Sequence, residues 1–377
     1  MKPLISYLEV VEDPRDIRGK KYRFTDLLTM TIYGILNQEI DFANISFYLK
    51  LHEDYFKNLL NLDKTPSHDC LSDLFASIDP QKFFDQFILW IKDIVKDKSG
   101  MNISIDGKAV KSARDKINGG NTPYILSAFL SDIGISIGQI KIDEKSNEMT
   151  SIPDLLDLLD ITGATITIDA IGTQTNIINK IIEKKAHYVL KVKDNQKELK
   201  DDIKTYFDIT LKDVHCKNEI ISSISDFEKD HGRIEKREYY ISYNTDIILN
   251  KEKWPSVKAV GMIRTYREIN GELSIEDYYY IMDTQINIER FIKATRSHWN
   301  IENKLHWKLD VIFDEDHQRN RIKNSIANIT LLRKIIFNLI RLDNTFDPKY
   351  TLKKRLLSYS AKPELIENLI FNVLPTL

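Results

Sequence analysis

The sequence has few cysteines and no long apolar run. Its only cysteines, Cys70 and Cys216, lie far apart in 377 residues and show no metal-ligand spacing. This scarcity argues against a disulfide framework or a cysteine zinc site, and it is typical of reducing compartments. No stretch reaches the roughly 18 uninterrupted apolar residues of a membrane span, and the first residues lack the apolar core of a signal peptide. We therefore expect a cytoplasmic protein.

The sequence also has almost no net charge, because 54 Lys and Arg stand against 56 Asp and Glu. Proteins that coat DNA without specificity are usually basic overall, so nucleic-acid binding here would depend on local charge. Residues 286–341 are locally basic, with eleven Lys or Arg against six acids. This segment either contacts nucleic acid or is an ordinary solvated helical surface.

The patterning predicts a mixed α/β protein of several domains, and 42% hydrophobic content is sufficient for packed cores. Apolar residues at three- and four-residue spacing predict a helical N-terminal domain over residues 1–98. Residues 99–194 and 286–341 are predicted to form one catalytic core, interrupted by a β-rich insertion over 195–285 with a hairpin turn at Asn270-Gly271. A helical tail is predicted over 342–377.

The predicted core begins with three strands, at 103–110, 124–130 and 136–142. A helix follows, with Ser151 as its N-cap, then a strand at 165–169, a helix at 175–185 and a strand at 187–192. One long helix is predicted from Glu289 or Ser297 through Leu309. This order is that of the ribonuclease H-like fold.

Three acids occupy unusual positions in this layout. Asp106 and Asp169 each close a run of β-branched residues, and Glu302 lies within a helical pattern. Alternation places Asp106 on the face of its strand that carries Ser104, and Asp169 on the face that carries Thr165 and Thr167. Carboxylates from two strands and a helix are the ligands that Mg²⁺ prefers, and such a site suggests phosphoryl transfer on nucleic acid.

The Glu302 segment allows other interpretations. His298, Glu302 and His306 recur every four residues, which is one helical row, while Ile301, Leu305 and Leu309 form an apolar row that can pack on a sheet. The row could hold zinc, or Glu302 could be a surface acid that pairs with Arg296 or Lys304. The acids that follow are interpreted as a solvated helix end rather than a metal site; they are Asp310, Asp314, Glu315 and Asp316.

Basic residues near these segments are candidates for DNA contact. Lys108, Lys111 and Arg114 follow Asp106, where Gly107 would allow close backbone approach; the alternative is a tight hairpin with surface lysines. Arg233 and Arg237 would share one strand face, either for DNA or for a cross-strand salt bridge.

The N-terminal segment is also basic. It contains Arg15, Arg18, Lys20, Lys21 and Arg23 beside Tyr22 and Phe24, and either contacts phosphate and stacks on bases or is a solvated arm.

Four ordered motifs resemble the DDE transposases of insertion sequences, most closely the ISAs family with its H-repeat-associated proteins. The motifs are Ile105-Asp106-Gly107-Lys108, Thr167-Ile168-Asp169-Ala170, His231-Gly232-Arg233-Ile234-Glu235 and His298-Trp299-Asn300-Ile301-Glu302-Asn303. The resemblance implies a transposase that cleaves element ends and joins the 3′-OH to target DNA. It implies Mg²⁺, or Mn²⁺ in its place, held by Asp106, Asp169 and Glu302.

The better-known relatives also carry a Tyr and an Arg seven and four residues before the Glu and a Lys seven residues after it. Here Thr295, His298 and Leu309 occupy those positions. Arg296, His298 or Lys308 would then contact phosphate instead.

The resemblance further implies that the protein acts on DNA as a homodimer or larger synaptic complex, associated with the nucleoid. Two alternatives stay open at this point: a decayed or domesticated copy that binds DNA without cutting it, and a metal-dependent nuclease without strand transfer.

Overall fold

The computed structural model describes residues 2–16, 20–111, 122–142, 148–212, 220, 222–230, 233–269, 271–284, 286–317 and 322–373. The chain divides into two compact units. The first unit comprises Met1–Asp97, Gly107–Ser151 and Glu302–Leu377, and the second comprises Lys98–Asp106 and Ile152–Ile301. These units are defined by contacts and therefore cut the chain differently from the domains predicted from pattern changes.

The first unit is mainly helical. Its N-terminal helices are α1 (Leu4–Leu8), α2 (Phe24–Leu36), α3 (Phe42–Leu51), α4 (Glu53–Leu60), α5 (His68–Ser77) and α6 (Pro80–Ile94). Ser67 caps α5 by accepting a hydrogen bond from the Cys70 amide, and Asp79 caps α6 in the same way. The apolar spacing in this region therefore does form helices, as predicted.

The first unit also contains an antiparallel hairpin of β2 (Tyr124–Leu130) and β3 (Ile135–Ile142), beside the end of β1 (Asn102–Ala109). Its remaining elements follow the second unit in the chain: the π-helical segment Ile301–His306, whose first residue belongs to the second unit, α11 (Trp307–Phe313), α12 (Ser325–Leu342), α13 (Leu352–Ala361) and α14 (Glu364–Phe371). Helix α12 lies in the core of this unit and packs on α2, α5, α6 and β3.

The second unit is built on a mixed sheet in the order β1-β4-β5-β9-β8-β7-β6. Its strands after β1 are β4 (Thr165–Ile168), β5 (His187–Val192), β6 (Ser222–Asp230), β7 (Arg233–Ser242), β8 (Ala259–Ile269) and β9 (Glu272–Met282). Strands β1, β4 and β5 are parallel, and the pairs from β5 through β6 are antiparallel. Its helices are α7 (Glu148–Leu158), whose first turn belongs to the first unit, α8 (Thr175–Glu183), α9 (Lys197–Thr210) and α10 (Ile288–Asn300).

The alternation predicted for β1 and β4 is confirmed. The Ser104 hydroxyl donates to the Ser297 carbonyl of α10 at 3.2 Å, and the Thr167 hydroxyl lies 3.1 Å from that of Ser104. Arg290 of α10 donates to the Thr165 hydroxyl at 3.0 Å. The isoleucines between these polar residues are buried on the opposite face. The polar face of β1 and β4 therefore lies under α10.

Two helix predictions are wrong in detail. Ser151 does not cap α7, because this helix begins at Glu148 and carries Pro153 inside it. The predicted helix through Leu309 contains the π-helical segment Ile301–His306, where the wider turn replaces regular α geometry. The apolar residues Ile301, Leu305 and Leu309 are nevertheless fully buried, as predicted.

The predicted hairpin between β8 and β9 is confirmed, since Ile269 pairs with Glu272 and Gly271 has a φ of 84°. Glycine adopts this left-handed conformation without a Cβ penalty. Among the described helices, none is both long and apolar enough to cross a membrane.

Candidate active site

Two carboxylates stand at the carboxyl ends of neighbouring parallel strands in the second unit. The register pairs Ile105 with Ile168, so Asp106 and Asp169 are the next residues on β1 and directly after β4. Both lie on the polar face that α10 covers further back along the strands. Carboxyl ends of parallel strands are where open α/β sheets commonly place their ligands.

Asp169 is held in a defined orientation. Its Oδ1 accepts a hydrogen bond from the Ala170 amide at 2.7 Å and lies 3.4 Å from the Lys193 ammonium. Burial raises the pKa of Asp169, but the Ala170 amide, Lys193 and His298 outweigh this and hold the pKa below its usual value. The side chain is 52% exposed, and both contacts fall on Oδ1. Asp169 is therefore an ionised carboxylate that a cation can reach.

His298 of α10 is the third group of this cluster. Burial lowers its pKa, Asp106 and Asp169 oppose that change, and Lys191 and Lys193 add to it. The net direction is downward, so the imidazole is mainly neutral at pH 7. Its Nδ1 is buried without a hydrogen-bond partner among the described residues.

The end of β5 brings two lysines to the same face. Lys191 lies with its ammonium 3.7 Å from the centre of the Tyr278 ring, and Lys193 contacts Asp169. Burial, with a smaller contribution from Lys193, lowers the pKa of Lys191 to about 8. The sequence prediction missed both lysines, although Lys193 follows the buried strand β5 in the same way that Asp169 follows β4 and Lys191 lies near the end of β5.

Glu302 belongs to the first unit, whose C-terminal part starts at this residue. It is exposed and lies within the π-helical segment, whereas His306 in the same segment is only 8% exposed. The predicted row of His298, Glu302 and His306 therefore does not present one uniform face. No three His, Cys, Asp or Glu side chains in the described parts of the chain are grouped closely enough for one metal ion.

Lys108 and Lys111 are placed against acids of the first unit. The half-buried Lys108 contacts Asp310 and lies 3.1 Å from the buried carboxylate of Glu315, and Lys111 lies 2.9 Å from Asp316. The acidic cluster is thus a partner for lysines rather than a solvated helix end. Asp314 contacts His317 instead, and Arg114 lies outside the described residues.

The other predicted DNA contacts are dispersed. Arg237 contacts Glu235 on its own strand, and the other oxygen of Glu235 lies 3.2 Å from Arg267 on β8, so the cross-strand salt bridge here joins Glu235 to Arg267 rather than involving Arg237. The side chain of Arg233 lies outside the described part. Arg296 is exposed on α10, and the Lys308 ammonium lies 4.3 Å from the centre of the Trp307 ring.

In the basic N-terminal segment, Tyr22 and Phe24 are buried and so offer no ring face for base stacking. Arg15 pairs with Asp13 and Arg23 with Asp26, each at 2.9 Å, and Lys20 lies 3.3 Å from Asp13. Lys21 is exposed, and Arg18 lies outside the described residues.

The fold and this cluster define a mixed α/β protein with an acidic site at the ends of parallel strands. A family model described as "Transposase DDE domain" matches residues 103–339, and a second, "DDE_Tnp_1-associated", matches residues 5–91. The chain belongs to the DDE transposase family. This family is generally dependent on divalent metal ions, and it implies a DNA substrate.

Curated relatives agree with this assignment. The chain is 32% identical over 361 residues to "H repeat-associated putative transposase YhhI" of Escherichia coli K12, covering 94% of each protein. It is 32% identical over 346 residues to "Putative transposase YncI" of E. coli O157:H7, covering 90% of this chain and 88% of that protein. The predicted family is therefore confirmed.

One solved structure that resembles the chain is that of a piggyBac transposase synaptic complex with hairpin DNA. The TM-score is 0.44 at 12% identity, covering 99% of this chain and 83% of that one.

Proposed function

We propose that the protein is a DNA transposase that cleaves strands at element ends and transfers the 3′-OH into target DNA. The observation that carries this proposal is the pair Asp106 and Asp169 on adjacent parallel strands, in a chain of the DDE transposase family. The β1-β4-β5 strands with β2, β3 and α10 would form a ribonuclease H-like core, and β6–β9 the insertion.

The donor chemistry of this site suits Mg²⁺ or Mn²⁺. Both are hard cations that take oxygen ligands, and Mg²⁺ commonly needs only one or two carboxylates because waters and substrate phosphates complete its shell. Asp169 offers an accessible, ionised carboxylate, and Asp106 would provide the second. Glu302 would complete the set that the family pattern implies.

In this mechanism a bound divalent ion supplies Lewis-acid stabilisation of the charge that develops on the reacting phosphate. The chain's own residues fix the geometry. The Ala170 amide orients Asp169, and the contact between Ser104 and Ser297 ties α10 to β1 directly before Asp106. His298 would contribute a mainly neutral imidazole near the two acids, so it adds no fixed charge that would repel a cation.

Purified protein incubated with Mg²⁺ and DNA that carries the repeats flanking its own coding region should release nicked ends and joined products. Asp106→Asn and Asp169→Asn should each lower this cleavage by roughly 10³-fold, since several kcal/mol of charge stabilisation is lost. Glu302→Gln should do the same, and EDTA should stop the reaction. Gel analysis of labelled strands measures all four effects.

Asp201→Asn is the matched control, because Asp201 is an exposed acid of the same unit on α9. It should leave cleavage unchanged. Wild-type cleavage retained in Asp106→Asn would refute the proposed metal site. Binding without cleavage by the wild-type protein would favour the decayed copy, and hydrolysis without joined products would favour the nuclease.

A further inference from the structure

The strand β5 gives the acidic site a cationic side. Strands β1, β4 and β5 are adjacent and parallel, so residues in register share a face. Val189 of β5 packs in one hydrophobic cluster with Phe291 and Ala294 of α10, which places Val189, and with it Lys191 and Lys193, on the α10 side. Asp169 therefore has Asp106 on one neighbouring strand and the two lysines on the other.

Lys191 lies in surroundings that are unusual for a structural lysine. It is half-buried, and no described carboxylate lies within ion-pair distance of its ammonium. The Tyr278 ring beneath it attracts a cation but does not neutralise it. Burial, and Lys193 after it, lower the pKa of this lysine, and the charges of Asp169 and Glu276 oppose them only in part. An anion that approaches Asp169 from solvent would find this ammonium already oriented.

Lys193 is different, because it already has an anionic partner in Asp169 at 3.4 Å. A divalent cation on Asp169 would neutralise that carboxylate and weaken its hold on the ammonium. Lys193 is 51% exposed and flexible enough to turn to another anion. A DNA phosphate near Asp106 and Asp169 would be repelled by both acids, and these two lysines place positive charge beside the acids on the same face.

We propose that Lys191 and Lys193 bind the non-bridging oxygens of the DNA phosphodiester that reacts at the site formed by Asp106 and Asp169. This inference rests on the proposed function and adds the groups that hold the phosphate. It assigns to β5 the cationic role that Leu309 cannot fill at the position where better-known relatives carry Lys. Tyr278 would act as a positioning residue for Lys191 through its ring.

The first test measures DNA binding without catalysis. The probe is a labelled duplex that ends at the flanking repeat, in Ca²⁺ buffer, titrated at several salt concentrations. Lys191→Gln and Lys193→Gln should each weaken binding. Each should also make the negative slope of log affinity against log salt shallower by about 0.9, because each removes one phosphate contact. Lys191→Arg and Lys193→Arg should restore the slope.

The second test measures the binding of Mn²⁺ to the protein in the absence of DNA, by electron paramagnetic resonance. Lys193→Gln should bind Mn²⁺ at least as tightly as the wild type, because a competing positive charge beside Asp169 has gone. The single-turnover rate of cleavage of saturating DNA by the same variant should nevertheless fall by roughly 10- to 100-fold. A lysine that only supported the fold would not separate these readouts.

Lys197→Gln is the matched control, since Lys197 is an exposed lysine at the start of α9. It should behave as the wild type in every assay. If the double variant of Lys191 and Lys193 keeps the salt slope and cleavage rate while Asp169→Asn loses Mn²⁺ binding, the phosphate-binding role is wrong and the metal site stands. If Asp169→Asn binds Mn²⁺ and cleaves as the wild type does, both proposals fall.

Discussion

At the scale of single residues, Gly107 shows how the chain around Asp106 is constrained. A Cβ at this position would lie 2.1 Å from Cε1 of Tyr124, and the Tyr124 hydroxyl donates to the Gly107 carbonyl at 2.8 Å. The sequence suggested that this glycine allows close approach of DNA. The space beside it is occupied by the Tyr124 ring, so its small size serves packing of β1 against β2.

Gly107→Ala should lower the free energy of unfolding by about 1–3 kcal/mol, because the ring has to move out of a packed position. Urea denaturation followed by circular dichroism measures this. Tyr124→Phe, which keeps the ring and loses only the hydroxyl contact, should cost about 1 kcal/mol. In a Tyr124→Ala background, Gly107→Ala should leave the free energy of unfolding almost unchanged. The same loss of stability in both backgrounds would contradict the steric explanation.

Elements are tied together by polar side chains as well as by apolar packing, and α12 is the clearest case. Asn338 donates to the Ser136 carbonyl at 2.7 Å and accepts from the Ser136 amide at 2.8 Å, so it pairs both backbone polar groups of this residue on the edge strand β3. Lys334 donates to Ser127 at 2.8 Å and to Gln139 at 2.7 Å. These contacts fix the rotation of α12 on the β2–β3 hairpin.

The buried Lys334 should make stability depend on pH. Burial lowers its pKa to about 8 in the folded protein, against about 10.4 when unfolded. Between these values the unfolded chain binds more protons, so the contribution of Lys334 to stability should rise with pH from about 8 to 10.4. The unfolding free energy of the wild type minus that of Lys334→Gln should therefore increase across this range.

Urea denaturation at pH 7, 8, 9 and 10 measures the effect. Lys353→Gln, a change of an exposed lysine on α13, should show a constant difference from the wild type over the same series. A difference for Lys334→Gln that stays flat or shrinks as the pH rises would show that this lysine is not held with a lowered pKa.

At the scale of the whole molecule, the N-terminal helices belong to the same compact unit as residues 302–377. Asn328 of α12 donates to the Phe75 and Ile78 carbonyls at 2.9 and 3.0 Å, and Arg333 donates to the Ile40 carbonyl at 3.0 Å. Both side chains are almost fully buried. Helix α12 therefore takes part of its polar partners, as well as apolar contacts, from the N-terminal region.

Removal of residues 1–97 should consequently prevent the remaining chain from folding cooperatively. The fragment would expose the apolar surface of α12 and leave Asn328 and Arg333 without those partners. Differential scanning calorimetry should show no wild-type transition for this fragment, and co-expression with residues 1–97 should restore one. A fragment with a wild-type melting transition would mean that the N-terminal helices form an independent domain.

The sequence predicted the elements that depend on local patterns. Alternation in β1 and β4 identified their polar face, and the bounds of β2 and β5 were predicted to the residue, because strand patterns are short-range properties. The π-helical turn at Ile301–His306 was not predicted, because the wider turn leaves the four-residue sequence spacing of the apolar residues Ile301, Leu305 and Leu309 as a regular helix would have it. The start of α7 was misplaced because Ser151 and Pro153 suggested a cap that the longer helix does not use.

The sequence by itself determined the family, the two strand-end acids and the order of the elements that carry them. Only the tertiary structure decided which charges meet, because ion pairs join residues far apart in the chain. In the structure Lys108 pairs with Asp310 and Glu315, although its position after Asp106 in the sequence had suggested a contact with DNA. Lys191 and Lys193 lie on the same face of the sheet as Asp169. A charge pattern records that lysines are present, whereas the strand order determines which carboxylate each one faces.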